Sequence, residues 1–178
     1  EKSELISRAK RTGEKIHMGD LLTLCSVKFW ERSPEFHKLK GRICFRGDQV
    51  RDEDGAYAVF QEMSSSPTAV SSANANLAYG CLPGHKTTKA DAIRAFIQTL
   101  LKAKHKTYVH VPKELWPKHW WKIKGLKRPM CLLKKALYGH PESPGHWEAH
   151  LERAVRLCGG KRCPAHPSSF WFPKDRLF

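Results

Sequence analysis

The stretch Lys135-Ala136-Leu137-Tyr138-Gly139-His140-Pro141-Glu142-Ser143-Pro144 joins a glycine turn to a helix start, and Trp147 follows it closely. Ser143 is placed to cap a helix, and Pro144 fits its first turn. Trp147, Leu151, Ala154, Val155 and Cys158 then keep helical spacing, and Gly159-Gly160 ends the pattern. Upstream, Cys131-Leu132-Leu133 opens a short apolar stretch, and Thr107-Tyr108-Val109-His110-Val111 alternates as a strand that stops at Pro112. Ile93, Phe96, Ile97, Leu100 and Leu101 form one apolar helical stripe, with Asp91 in the N-cap region and a short strand expected over 86–91. A small-residue helix is expected from Ala69 to Cys81, after three serines and Pro67 and before Pro83-Gly84.

Closer to the N-terminus, residues 47–56 form an acidic loop. Residues 21–30 and 39–46 alternate as two strands of a hairpin around a polar tract, Glu31 to Glu35. Residues 1–16 lack periodicity and read as a frayed lead-in or a helical linker, so 1–20 is expected to be a flexible lead-in and 21–178 the folded unit. Near the C-terminus, Ser169-Phe170-Trp171-Phe172 is expected to be a strand. Strands and helices mix without βα repetition, which predicts an α+β fold with a small antiparallel sheet and packed helices.

Thirty-two basic and 17 acidic side chains give a net charge of +15 over 178 residues, which points to a partner of dense negative charge, nucleic acid first. The charge is uneven: +4 over 1–50, −1 over 51–100, +8 over 101–150 and +4 over 151–178. The apolar run Leu21-Leu22-Thr23-Leu24-Cys25 is broken by Thr23 and falls far short of the ~20 residues of a membrane span, so no membrane partner is expected. No basic start followed by an apolar run marks a secretory signal, and six scattered cysteines are expected to be reduced, both of which suit an intracellular protein. Cys158, Cys163 and His166 are the one candidate zinc set, although C-x4-C-x2-H matches no common zinc spacing.

Three segments in order carry a resemblance. They are Lys40-Gly41-Arg42-Ile43-Cys44-Phe45-Arg46-Gly47, then Asp91 with Ala95 and Phe96, then Lys135 to Pro144 with Trp147. Tyr108 and Pro112 fit between the last two. Together, from about Lys28 to Phe172, they resemble the reverse transcriptase domain of copia-type retrotransposon polyproteins. Ala136-Leu137-Tyr138-Gly139 with Ser143-Pro144 is the most specific piece.

The resemblance implies the fingers and part of the palm of an RNA-directed DNA polymerase, a nucleotidyltransferase. Its partners would be an RNA template, a DNA primer, deoxynucleoside triphosphates and the remainder of a Pol polyprotein, in a cytoplasmic particle or the nucleus. Mg2+ would be the cofactor, with Asp91 as catalytic metal ligand. Phe96 would lie under the sugar of the incoming nucleotide, or else belong to the core stripe. Arg42 and Arg46 would reach triphosphate or template phosphate, or else line an exposed strand. Tyr138 and Gly139 would line the pocket of the nascent base pair, or else form an ordinary turn. Independently of the family, Lys118, Lys122 and Lys124 with Trp120 and Trp121 offer charge and stacking faces to nucleic acid, or else are solvated lysines and packed rings.

The chain also departs from the family pattern. Ile97-Gln98-Thr99 replaces Leu-Asn-Gly, and Glu142 stands where the family has Gln. Ser168-Ser169-Phe170 looks like the segment that precedes a Tyr-X-Asp-Asp motif, yet no Asp-Asp pair occurs in the sequence. A pair of Mg2+ ions ~3.5–4 Å apart needs more than one carboxylate. The chain is therefore expected to be truncated before that motif and inactive alone. The alternative is a non-catalytic basic nucleic-acid-binding module, in one variant with zinc at Cys158, Cys163 and His166.

Overall fold

The computed structural model describes residues 1–60, 68–164, 166 and 168–174; the three serines and Pro67 that precede the expected small-residue helix lie outside them. The fold is mixed α and β. The order is α1 (Lys2–Thr12), β1 (Ile16–Lys28), β2 (Lys38–Phe45), α2 (Val70–Gly80), α3 (Ala95–Gln98), β3 (Lys106–His110), β4 (Met130–Leu132), α4 (Ser143–Leu157), β5 (Lys161–Arg162) and β6 (Phe170–Trp171). Among the described residues no helix is long and apolar enough to cross a membrane.

The main sheet runs β2-β1-β3-β4, and β5 and β6 form a separate antiparallel pair. The expected antiparallel sheet is corrected to a mixed one. The first half of β1 lies parallel to β3, with Ile16 opposite Lys106 and Asp20 opposite His110. Its second half pairs antiparallel with β2, from Leu21 opposite Phe45 to Lys28 opposite Lys38. A 13-residue strand can serve two neighbours in succession, and a hairpin reading saw only the local one.

Strand alternation sends successive side chains to opposite faces and so builds two cores. On one face Ile16, Met18 and Tyr108 pack under Leu5 and Ala9 of α1. On the other, Phe45, Val50 and Val109 pack together with Leu21, Cys131 and Leu137 around them. Gly19 makes the second cluster possible: a Cβ there would sit 2.6 Å from the Phe45 ring.

The expected lead-in is thus a helix. Gly13 ends it in a left-handed conformation (φ 67°), and Lys10 and Arg11 lie in its last turn, where they complement the helix dipole. Arg8 adds a hydrogen bond to the Tyr108 hydroxyl at 2.8 Å. Leu5→Ala should therefore lower stability by about 2 kcal/mol or more. A urea midpoint unchanged by this substitution would show that α1 contributes nothing to the core.

Two further expectations are corrected. Residues 86–91 form no strand, and the helix expected across 93–101 is only the single turn α3, with Arg94, not Asp91, at its N-cap. The backbone of 99–101 is held elsewhere: Ala136 N–H donates to Thr99 O (3.0 Å), and Leu101 N–H donates to Lys134 O (3.0 Å). Those pairings override the local helical pattern. Ile93, the first residue of the stripe, is 78% exposed.

Candidate nucleotide and nucleic-acid site

Residues 137–143 form a tight turn against the end of β2. Phe45 N–H donates to Tyr138 O at 2.7 Å. Gly139 takes φ 86°, and a Cβ there would overlap the Phe45 carbonyl oxygen. From the other side, a Cβ on Gly47 would overlap the Gly139 carbonyl. Two glycines far apart in sequence thus let two backbones touch, a close approach that only glycine permits.

Ser143 is the first residue of α4 rather than its cap. Its Oγ accepts the Leu137 N–H at 2.9 Å, so it pins the turn. Glu142 is buried, 3.7 Å from His146 Nε2, so its charge is withdrawn from the surface of the turn. His140 is buried between the Phe45 and Phe60 rings. Its Nδ1 accepts the Glu142 N–H (3.2 Å), which leaves Nε2 to donate to Thr107 Oγ1 (3.1 Å). Burial, with lesser contributions from His17 and His146, pulls its pKa down to about 4.

A groove of about 690 Å³ opens beside this turn. Cys25, Ile43, Ile97, Leu115, Leu137 and Tyr138 give it a mainly apolar lining, and Arg42, Arg94 and Glu114 add charge. The Phe96 ring meets the Tyr138 ring at 4.6 Å and 69°. Arg42 and Tyr138, from separate segments, thus line one groove, while Phe96, against the Tyr138 ring, and Gly139, next in the turn, adjoin it outside the lining. Arg94, which the sequence reading missed, joins them from a left-handed backbone conformation (φ 54°).

Other expected residues stand apart. Arg46 pairs with Asp48 at 3.4 Å and gives its backbone N–H to Asp20 O, outside the groove lining. Asp91 is exposed in an irregular segment, with no ion pair or hydrogen bond among the described residues. No group of three His, Cys, Asp or Glu side chains among the described residues is arranged to hold a metal. In the expected zinc set, His166 Nδ1 lies 2.7 Å from Ser72 Oγ, and Cys158 is exposed. The donors around Asp91 among the described residues do not fit a Mg2+ pair.

The basic aromatic stretch is partly packed and partly open. Trp116 donates its indole N–H to Val111 O (2.8 Å), and its ring meets Trp120 at 6.2 Å and Trp121 at 5.4 Å. Trp121 remains 60% exposed. Lys118, Lys122 and Lys124 are exposed and have no ion pair among the described residues.

No family model, curated protein or solved structure matches this chain.

Proposed function

We propose that this chain is the fingers and part of the palm of a copia-type reverse transcriptase, a piece that binds nucleic acid and nucleotide but does not by itself join them. One observation carries the reading: Arg42 of β2, Arg94 and Ile97 of the turn that holds Phe96, and Leu137 and Tyr138 of the 137–143 turn line a single groove. The resemblance requires those three segments to meet, and nothing in their sequence separation demands it.

The chemistry available is binding. Phe96 and Tyr138 offer aromatic surface to a base or sugar, and the guanidinium of Arg42 suits phosphate oxygens. Nucleotide addition needs a metal pair to neutralise charge on the transferring phosphoryl group, and the described residues supply no such donor set. Nucleic-acid affinity should fall steeply between about 50 and 200 mM salt. The 178-residue chain should give no primer extension. Asp91→Asn should leave binding unchanged, because it removes no phosphate contact.

Photo-crosslinking separates this from the second reading, a non-catalytic basic module, which the irregular setting of Asp91 favours. A photoreactive deoxynucleoside triphosphate, with primer-template present, should label the peptides that carry Arg42 and Tyr138. Retained nucleic-acid binding with no label there would leave the module reading in its place. A filter-binding titration with no retention at low salt would end both.

A further inference from the structure

Among the described residues β2 has β1 as its only strand neighbour and so forms one edge of the main sheet. In an antiparallel pair, backbone groups alternate between the neighbouring strand and the open side. The C-terminal end of β2 fixes which residues face which way. Arg46 N–H donates to Asp20 O of β1 (2.9 Å), whereas Phe45 N–H donates away from β1, to Tyr138 O (2.7 Å). By the same alternation Ile43, Gly41 and Leu39 turn their N–H and C=O groups outward. None of those groups has a hydrogen-bond partner among the described residues. Tyr138 thus supplies the first rung of a ladder on this edge, and the three outward-facing residues before Phe45 have none.

The two faces of the edge differ in chemistry. Leu39, 80% exposed, lies on one face with Gly41 and Ile43, and those last two also line the apolar groove. Lys38, Lys40 and Arg42 lie on the other face, with Lys28 across from Lys38 on β1. None of these four cations has an ion pair among the described residues. Arg42 and, next, Lys28 crowd Lys40 and hold its ammonium below its usual pKa, so the face lacks counter-charge. An open edge of this kind takes up another strand: backbone bonds give affinity, and alternate side chains give specificity. The charges select the strand. A second copy of β2 would set cation against cation, which destabilises the pair. A nucleic-acid strand would answer the cations but offers neither a peptide ladder to the outward groups nor apolar side chains to Leu39 and Ile43.

We propose that the β2 edge takes up an extended acidic peptide segment as a further antiparallel strand, with carboxylates beside Lys38, Lys40 and Arg42 and apolar side chains beside Leu39, Gly41 and Ile43. Antiparallel pairing is the more stable arrangement per residue. The partner is a protein segment in which acidic and apolar residues alternate. This surface goes beyond the nucleotide reading above and does not depend on it.

The test is fluorescence anisotropy of a labelled, end-capped peptide of alternating Glu and Val, as long as the exposed part of β2, against the whole chain. Salt is kept at about 50 mM, where charge pairs are weakly screened. The chain should bind this peptide and not its counterpart with Lys in place of Glu. N-methylation of the valines removes the N–H groups that face β2 and keeps every charge, so it should weaken binding about tenfold or more. Replacing Lys38 and Lys40 together by Glu should weaken binding of the Glu peptide about tenfold or more and improve that of the Lys peptide. Both lysines lie outside the two cores, and Arg42 is untouched, so nucleotide photo-crosslinking should persist in that variant. A chain that binds no peptide, or binds the N-methylated one as tightly as the parent peptide, overturns the edge assignment and leaves the proposed function standing. Equal binding of the Glu and Lys peptides overturns the acidic partner. Those outcomes are read on the unaltered chain and hold whether or not the variant folds.

Discussion

Gly139→Ala should lower the stability of the fold by at least about 3 kcal/mol, a large share of the 5–15 kcal/mol of an ordinary domain. Two costs add at this position. An L side chain at φ 86° is strained by about 1–2 kcal/mol. The new Cβ would also meet a backbone oxygen, that of Phe45, which is fixed by the β1–β2 register and cannot rotate away as a side chain would. Gly125 provides the control. It has a similar φ of 80° but open space around its missing Cβ, so Gly125→Ala should cost only about 1–2 kcal/mol. Urea denaturation of the two variants measures the difference. Equal losses would mean that the turn yields freely and that the touching backbones are not a constraint.

Acid should weaken the fold before most of its carboxylates titrate. His140 is held neutral by burial, with its pKa near 4 against the ordinary 6.5. The unfolded chain therefore binds a proton that the folded chain refuses. Stability is fully present above about pH 6.5 and is lost progressively as pH falls toward 4, by about 3 kcal/mol in all. The neighbours do not reverse the sign. His17, itself shifted down chiefly by burial, and His146 both disfavour a charge on His140. Asp52 and Glu53 favour the charged form of His17, and only as lesser causes. His140→Asn keeps an acceptor for the Glu142 N–H and removes the titration. It should flatten the stability profile between pH 4 and 6.5, measured by urea midpoints at each pH. A profile as steep as the parent's would assign the acid sensitivity to other groups.

Several elements were legible because local signals and tertiary demands agreed. α4 begins at Ser143 and ends before Gly159-Gly160, β3 occupies the alternating Thr107–Val111 region, and α2 fills its small-residue pattern. The docking of α1 on the sheet was not legible. A helix that buries only Leu5 and Ala9 shows no apolar stripe, and its partners Met18 and Tyr108 are distant in sequence. The stripe over 93–101 misled for the opposite reason: a good local pattern lost its backbone to pairing with 134–136. In the candidate site, Arg42, Phe96, Tyr138 and Gly139 were named through motif order; Arg42 and Tyr138 line the groove, and Phe96 and Gly139 adjoin Tyr138. Arg94 carried no signal, because its placement depends on a left-handed turn. Asp91 and Arg46 were named through the same resemblance, yet one stands in irregular backbone and the other pairs with Asp48.

The double pairing of β1 also sets the order in which this protein can assemble. The β1–β2 register closes a short loop and can form as soon as both strands exist. The β1–β3 register joins Ile16 to Lys106, and α1 reaches Tyr108 across the same gap. On a ribosome adding about 5–20 residues per second, β3 would emerge roughly 5–18 s after the first half of β1. During that interval Ile16 and Met18 have their strand and helix neighbours but no β3 to complete the sheet, and an unpaired edge of β1 is open to other chains. Slow refolding and concentration-dependent loss of yield are the expected kinetic signature, with the hairpin forming in the early phase and the parallel pairing in the late one.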